Sequence, residues 1–226
     1  MDSKTAIAEM NRLGKAGIPF LCIIDFEMNS PLVIPLKDVN PSRILYQVKE
    51  QSNFSTNFII NKCLEFKKQP VSFHKYKTAF NIVEENITAG NTYLLNLTFP
   101  TKIETNYSLL EIFYKSNAKY KLFYENKFVV FSPETFVTIR NGKIFSHPMK
   151  GTIDASVENA EQKILNDEKE KAEHITIVDL IRNDLSIVAQ NVKVDNFRYI
   201  EEIPTNDKKL LQVSSQISGR LPDNYN

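Results

Sequence analysis

The sequence has little of what marks exported, membrane-spanning or metal-clustered proteins. Only two of its 226 residues are cysteines, Cys22 and Cys63, and they belong to no CxxC or Cys/His cluster. Because disulfide frameworks and zinc sites need closely placed cysteines, neither class is supported, and we expect a reducing, cytoplasmic location. No stretch approaches the roughly 18 uninterrupted apolar residues of a membrane-spanning helix, and no apolar signal core follows Met1.

The chain also lacks an excess of charge of either sign. The 28 Lys and Arg residues nearly cancel the 27 Asp and Glu residues, which leaves a net charge of +1. Such a chain has no long-range field toward phosphate backbones or anionic lipid, so we expect neither nucleic acid nor a membrane as partner. Hydrophobic residues at 42% and charged residues at 24% are typical of an ordinary globular protein, and we expect a single domain over residues 1–226.

Several common functional motifs are missing. The chain contains no G-x-G-x-x-G, P-loop, G-x-S-x-G or His-Glu-x-x-His pattern, which excludes the usual nucleotide-binding, serine-hydrolase and zinc-site interpretations. Its three histidines, His74, His147 and His174, have no partner at metal-ligand spacing. We therefore expect each histidine to be structural or exposed.

Hydrophobic periodicity predicts a mixture of helices and meandering strands. Ser3 is expected to cap a first helix that Gly14 and Gly17 end. Further helices are predicted over about 76–89, 158–165 and 167–188, and strands over 20–24, 31–36, 92–99, 120–124, 127–131, 136–140 and 143–147. Short turns at Glu125-Asn126 and Asn141-Gly142 indicate consecutive hairpins. Consecutive hairpins form antiparallel sheet, so the predicted fold class is α+β.

The helix predicted over 167–188 carries the first candidate site. Asp167 and Glu170 fit a capping box at its start, and the helix is apolar nearly all round, which predicts that it is buried. Glu170 and Glu173 project side by side from consecutive turns, where two buried carboxylates would need a divalent cation or a proton between them. The alternative is that Glu170 only closes the capping box and Glu173 pairs with a neighbouring lysine at the surface.

A lysine provides the second candidate site. The predicted strand over 143–147 runs into Pro148, and Gly151 allows a turn, which would place Lys150 at a strand end. Held there beside Met149 and Ile153, a partly desolvated lysine could act as a nucleophile or base. The alternative is an ordinary surface lysine with a solvated head group.

Five ordered motifs resemble the chorismate-utilising enzymes and, within them, the branch of aminodeoxychorismate synthase component I. The motifs are Phe131-Ser-Pro-Glu-Thr-Phe136, His147-Pro-Met-Lys-Gly-Thr152, Asp167-Glu-Lys-Glu-Lys-Ala-Glu-His174, Ile177-Val-Asp-Leu-Ile-Arg-Asn-Asp-Leu185 and Ser218-Gly-Arg-Leu221. The resemblance implies layered antiparallel β-sheets flanked by helices. It covers most of the chain.

The resemblance also implies roles for individual residues. Lys150 stands where anthranilate-forming relatives carry alanine and aminodeoxychorismate-forming ones carry lysine, so it would form a covalent adduct with chorismate that ammonia then displaces. Glu170 and Glu173 would bind magnesium. Gly151 and Thr152 would line the substrate pocket, and Gln212 stands where the relatives usually carry a histidine near the substrate.

The same resemblance implies a partner and an incomplete site. Ammonia would come from a separate glutamine amidotransferase subunit. The chain stops at Asn226, before the region where this family places a glycine-rich loop, a substrate-binding arginine and two more metal-binding glutamates. We therefore expect a truncated form that does not turn over chorismate alone. The remaining alternatives are an anthranilate-forming or an isochorismate- or salicylate-forming relative, and a shortened, non-catalytic form that binds a partner or the metal.

Overall fold

The computed structural model of the chain describes residues 1–205, 208–223 and 225. In this part of the chain five α-helices occur: α1 (Ser3–Lys15), α2 (Phe73–Thr88), α3 (Leu109–Lys115), α4 (Ala160–Asn166) and α5 (Glu168–Val188). The first eight strands are β1 (Phe20–Ile23), β2 (Leu32–Pro35), β3 (Ile44–Val48), β4 (Gln51–Ser52), β5 (Phe66–Gln69), β6 (Lys102–Thr105), β7 (Tyr120–Tyr124) and β8 (Phe128–Ser132). The remaining strands are β9 (Thr138–Arg140), β10 (Lys143–Ser146), β11 (Met149–Asp154), β12 (Gln190–Pro204) and β13 (Lys209–Arg220).

The described residues divide into two compact units. The first unit comprises residues 1–56 and 116–226, and the second comprises residues 57–115. Every strand pair among the described residues is antiparallel. The predicted α+β class with layered antiparallel sheets and flanking helices is therefore confirmed.

The long strand β13 organises the larger sheet of the first unit. Along one edge it pairs with β12, and along the other it pairs first with β11 and then with β10, which in turn pairs with β9. The pattern of small and apolar residues in β13 explains its central place, because Val213, Ser214, Ser215 and Ile217 are all fully buried. A second sheet, in the order β4-β3-β7-β8, and the two-stranded ribbon β1-β2 complete the strands of this unit.

Helix α5 packs on β11, β12 and β13 of the larger sheet. Val178 and Leu185 from the helix meet Ile144 and Ile217 from the strands in the main apolar core of the unit. Burying four such side chains contributes roughly 1.5–3 kcal/mol each, which fixes the helix on the sheet. Gly219 allows the close approach, because a Cβ there would lie 2.8 Å from Ala189 Cβ.

The predicted burial of α5 on all sides is wrong. Ile175, Leu180 and Ile187 are exposed, and Ile187 is 82% exposed. The apolar residues of the helix face both the sheet and the solvent, since only one side of a helix can pack on a single sheet.

The hairpins were predicted correctly and one strand was not. The β7-β8 pair turns at Glu125-Asn126 and the β9-β10 pair turns at Asn141-Gly142, with positive φ at all four positions. Residues 92–99, which lie within the described part of the chain, form no strand. Tyr93 is 96% exposed there, so local β-propensity found no partner strand.

Helix boundaries differ from prediction at two N-termini. Asp2 rather than Ser3 caps α1, and its carboxylate accepts the Thr5 N–H at 2.8 Å. In the second unit, α2 begins at Phe73 because the Ser72 hydroxyl accepts the Lys75 N–H. The second unit also contains the β5-β6 pair and α3. Among the described helices, none combines the length and apolarity needed to cross a bilayer.

Candidate active site

The N-terminus of α5 positions the two candidate metal-binding glutamates. The Asp167 carboxylate accepts the Glu170 N–H at 2.9 Å and so starts the helix as predicted. Glu170 and Glu173 then follow three residues apart, both partly buried on the side of the helix that faces β11. This arrangement confirms that one helix presents the two side chains to the same neighbouring strand.

Lys150 lies against one of these glutamates. Its Nζ is 2.9 Å from Glu173 Oε2, and the Nζ of Lys169 is 3.6 Å from the other oxygen of the same carboxylate. The hydrogen bond from Lys150 lowers the pKa of Glu173 below its usual 4.5, and a smaller effect of burial opposes it. The Lys150 side chain is 41% exposed and that of Glu173 31%, so the pair is open to solvent and to a ligand.

The structure corrects the predicted surroundings of Lys150. The residue does not end a strand but lies inside β11, at an irregularity where the pairing with β13 shifts register between Met149 and Thr152. Gly151 has φ +88°, a left-handed conformation that favours glycine. A Cβ at Gly151 would lie 3.0 Å from Glu170 Oε2, so the second glutamate rests on the backbone of this bulge.

Thr152 of β11 and Gln212 of the neighbouring strand β13 stabilise the same bulge. The Thr152 hydroxyl donates to Gln212 Oε1 at 2.5 Å, and Gln212 Nε2 donates to the Gly151 carbonyl at 2.8 Å. The structure therefore brings Gly151, Thr152 and Gln212 together next to Lys150. A role of these residues in binding substrate stays a prediction.

A buried polar side chain follows Glu173 in α5. His174 is fully buried, and its Nε2 lies 2.6 Å from the hydroxyl of Ser215. Burial, assisted by the charge of Arg198, lowers the pKa of the imidazole, and the adjoining Lys150 backbone has a smaller opposite effect. A buried, hydrogen-bonded His174 agrees with the expectation that each histidine is structural or exposed, but the sequence did not indicate Ser215 as its partner. The signal present in the sequence was its position one residue after Glu173, on the inward side of an amphipathic helix.

A cavity of about 370 Å³ opens among other strands of the first unit. Its polar lining includes Lys49, Lys119, Arg140, His147 and Tyr199, and Met149 contributes an apolar wall. Burial lowers the pKa of His147, whose Nδ1 lies 3.3 Å from the Tyr199 hydroxyl. Lys150 is not among the residues that line this cavity.

The donor set of the site suits a magnesium ion. Among the described residues no group of three or more His, Cys, Asp or Glu side chains could hold a metal by itself. Magnesium, however, is usually held by one or two carboxylates, with water and substrate oxygens completing its octahedron. Glu170 and Glu173 provide that number of carboxylates on one side of one helix, so the residues fit.

Comparisons with known proteins show which proteins this chain resembles. A family model described as chorismate binding enzyme matches residues 47–226. An uncharacterized PabA-like protein of Haemophilus influenzae is 45% identical over 219 residues, which cover 97% of this chain and 66% of that protein. Anthranilate synthase alpha subunit 2 of Oryza sativa is 31% identical over 69% of this chain and 27% of that protein. Aminodeoxychorismate synthase component 1 of Salmonella typhimurium is also 31% identical, over 66% of this chain and 35% of its own length.

Solved structures share the fold. An isochorismate synthase structure, assigned as the 2,3-dihydroxybenzoate-specific DhbC of Bacillus anthracis, aligns with a TM-score of 0.59 at 18% identity. The alignment covers 97% of this chain and 61% of that one. Anthranilate synthase component I of Streptococcus pneumoniae aligns with a TM-score of 0.51 at 20% identity, over 75% of this chain and 39% of that one. The chain thus spans about two thirds of the length of its Haemophilus relative and less of these structures.

Proposed function

The chain belongs to the chorismate binding enzyme family, and from this premise we propose that Lys150, Glu170 and Glu173 form a site that aminates chorismate. One observation carries the proposal. The Lys150 amine lies 2.9 Å from Glu173 in a partly exposed position, and the Glu170 carboxylate rests on the next residue of the same strand. A primary amine and two carboxylates thus meet beside a glycine, where a ring acid with a bound cation could fit.

Lys150 acts as the nucleophile in this proposal. Its neutral amine forms a bond to the ring carbon next to the one that bears the carboxylate. The ring π electrons shift toward the carbon that carries the hydroxyl, its C–O bond breaks, and the hydroxyl leaves as water with a proton released from the Lys150 nitrogen. Ammonia then bonds to that carbon and passes a proton to the Lys150 nitrogen, the electrons shift back, and the bond between the ring and Lys150 breaks. Two substitutions of moderate difficulty replace one difficult displacement.

The proton of Lys150 must leave before the attack. Glu173 Oε2 accepts a hydrogen bond from Nζ, but the lowered pKa of this carboxyl makes it a poor proton acceptor while the ion pair lasts. Glu170 and Glu173 would hold magnesium, and its positive charge would help to hold the substrate carboxylate. A Glu173 carboxylate that binds the cation would no longer neutralise the Lys150 amine.

Lys150 also distinguishes amination from the related reactions. Overall sequence identity does not distinguish these reactions, because the rice anthranilate synthase and the Salmonella aminodeoxychorismate synthase are both 31% identical to this chain. An amine at this position favours the route through an adduct, since alanine could form none. The ammonia would be supplied by a glutamine amidotransferase subunit. By itself the chain is expected to form the adduct once and not to turn over.

Calorimetry with chorismate and magnesium tests whether the site binds its proposed substrate. We expect saturable heat that depends on magnesium. Lys150→Ala should weaken binding about tenfold, because a hydrogen bond to a charged group contributes about 1.5–3 kcal/mol. Lys169→Ala is the matched control, since it also removes an amine from the surroundings of Glu173, and it should leave binding nearly unchanged.

The outcomes separate the candidate functions. Heat with a covalent adduct at Lys150 supports the enzyme, whereas heat without any adduct supports the non-catalytic binding form. Anthranilate or isochorismate among the products, identified by mass spectrometry, would assign one of the related reactions instead. No heat with either ligand would overturn the proposal.

A further inference from the structure

Three cationic side chains line the cavity of about 370 Å³ that Lys150 does not reach. They belong to Lys49, Lys119 and Arg140. None of the three forms an ion pair with a carboxylate within the part of the chain that the structure describes. All three are exposed, so a ligand from solvent can reach them. Because the whole chain has a net charge of only +1, this local excess of positive charge is a specific feature of the cavity.

The backbone holds Lys49 and Lys119 side by side. The N–H of Lys49 donates to the carbonyl of Lys119 at 2.9 Å, which joins the turn after β3 to the residue before β7. Lys49 has φ +54°, a left-handed conformation that is strained for lysine and persists only where the surrounding contacts fix it. Like charges on neighbouring strands repel each other. An anion bound between the two ammonium groups would relieve this repulsion.

The guanidinium of Arg140 is prepared for a planar anion. Its Cζ lies 4.9 Å from the centre of the Phe145 ring, which also lines the cavity. A guanidinium that stacks on a ring keeps the N–H groups of its edge free, and these form a fork that matches the two oxygens of a carboxylate. A carboxylate therefore suits Arg140 better than a spherical ion does.

The charges of the lining favour an anion with two negative charges. One carboxylate lines the cavity, that of Glu201, and its Oε2 already accepts the Ser214 hydroxyl at 2.6 Å. His147 adds no charge at neutral pH, because burial lowers its pKa below 6.5. Three cations against one carboxylate leave an excess of two positive charges. A zwitterionic amino acid would add its own ammonium group to this excess.

The size and the walls of the cavity favour an organic ligand. Its volume is within the range of about 300–1,000 Å³ that is usual for small-molecule sites, and an inorganic anion would fill only a small part of it. Phe145 and Met149 contribute apolar walls. The Tyr199 hydroxyl and His147 Nδ1, which lie 3.3 Å apart, contribute neutral hydrogen-bonding groups. This lining suits a compact apolar body with polar ends.

We propose that this cavity binds a small organic dianion, a molecule with two carboxylates on a compact apolar body. Arg140 holds one carboxylate through its fork, and Lys49 and Lys119 hold the other. The apolar walls cover the body of the ligand. The proposal goes beyond the amination of chorismate, because no residue of the proposed amination site lines this cavity.

Calorimetric titration of the whole chain with phthalate, an aromatic dicarboxylate, tests the site. Magnesium and chorismate are left out, and the ionic strength is held constant. We expect saturable heat, with binding weakened about tenfold in Arg140→Ala and about threefold in Lys49→Ala. Arg140→Lys should also weaken binding, since it keeps the charge and loses the fork. Lys143→Ala is the matched control, because Lys143 pairs with Arg140 across the hairpin without lining the cavity, and it should bind phthalate like the wild type.

Related anions test the class of ligand. Benzoate keeps the ring and one carboxylate, so it should bind about tenfold more weakly than phthalate. Phenylalanine, a zwitterion, and sulfate, an inorganic dianion, should bind more weakly than phthalate as well. Binding of phenylalanine or sulfate as tight as that of phthalate would overturn the organic dianion as the ligand.

Two results would overturn the site itself. One is the absence of saturable heat with phthalate. The other is heat that Lys150→Ala abolishes and Arg140→Ala leaves unchanged, since phthalate would then occupy the proposed amination site. Because the titration contains neither chorismate nor magnesium, failure of this site and failure of the amination are distinguishable.

Discussion

Because residue 151 is a glycine, the Glu170 carboxylate of α5 can lie close to the backbone of β11. The Gly151 backbone has φ +88°, and the Glu170 carboxylate lies where a Cβ would point. Glycine therefore serves two purposes at this residue, because it relieves backbone strain and leaves room for a carboxylate. A glycine that only relieves backbone strain, with no side chain close to it, allows the cost of strain to be measured separately from the cost of displacing a carboxylate.

Gly142 is that matched glycine. It has φ +68°, and a Cβ at this position would meet nothing within 4 Å among the described residues, so Gly142→Ala should cost only the left-handed strain of about 1–2 kcal/mol in unfolding free energy. Gly151→Ala should cost more, because the new methyl group also displaces Glu170 and meets Ile164. Urea unfolding of both variants measures the difference. Equal losses would mean that Glu170 moves away freely.

Removal of the Lys150 amine should change the pKa of Glu173. The hydrogen bond from Lys150 is the largest cause of the lowered pKa of this carboxyl, so Lys150→Ala should return the pKa of Glu173 toward 4.5. A lowered carboxyl pKa contributes stability that is present above the unfolded pKa and is lost as the pH falls through the folded value. In this exposed pair the contribution should stay below about 1 kcal/mol. Carbon-detected NMR titration follows Glu173 directly, and an unmoved pKa in Lys150→Ala would contradict the pairing.

At the scale of elements, α5 is the part of the site that the sequence predicted best. Its N-cap, its start and the shared side of Glu170 and Glu173 all follow from rules that act within one turn of helix. The bulge in β11 was missed because a strand irregularity depends on the partner strand, here β13, which the local pattern does not contain. For the same reason residues 92–99 were assigned as a strand on propensity alone.

The N-cap of α5 should support both stability and the site. Asp167→Ala removes the acceptor for the Glu170 N–H and should cost about 1 kcal/mol in unfolding free energy. Because fraying of the first turn also releases Glu170, the variant should weaken magnesium binding in calorimetry. Asp179→Ala, an exposed acid in the middle of the same helix, should change neither quantity appreciably. If Asp167→Ala lost stability but bound magnesium as well as the wild type, Glu170 would not be a magnesium ligand.

At the scale of the whole molecule, the described residues of each compact unit include a carboxyl group whose pKa is strongly lowered. In the first unit the bond from Lys208, followed by that from the Ser156 N–H, lowers the pKa of Asp154 to about 2. In the second unit the Ser108 N–H, followed by Lys62, lowers the pKa of Glu111 to about 2. Both groups should stabilise their units above about pH 4 and lose this effect as the pH falls toward 2.

Acid unfolding of matched variants tests the contribution of Asp154 in the first unit and of Glu111 in the second. Asp154→Asn and Glu111→Gln should each flatten the decline in stability between about pH 4 and pH 2, since an amide does not titrate. Asp179→Asn serves as the exposed control. A decline as steep in Asp154→Asn as in the wild type would assign the acid sensitivity of the first unit to other carboxylates.

The whole molecule also shows why the contacts among His174, Ser215 and Arg198 could not be predicted. His174, Ser215 and Arg198 lie up to 41 positions apart and meet only because β12 and β13 pair and α5 packs on them. Residue order alone located Lys150, Glu170 and Glu173, since each stands in a motif. The contacts that hold them in place depend on tertiary packing.

The central claim is that the Lys150 amine bonds covalently to the chorismate ring. Incubation of the chain with chorismate and magnesium, without ammonia, followed by peptide mass mapping, tests it most directly. We expect a mass increase equal to chorismate less one water on the peptide that contains Lys150 and none on the peptide that contains Lys169. An unmodified Lys150 under saturating chorismate would contradict the account.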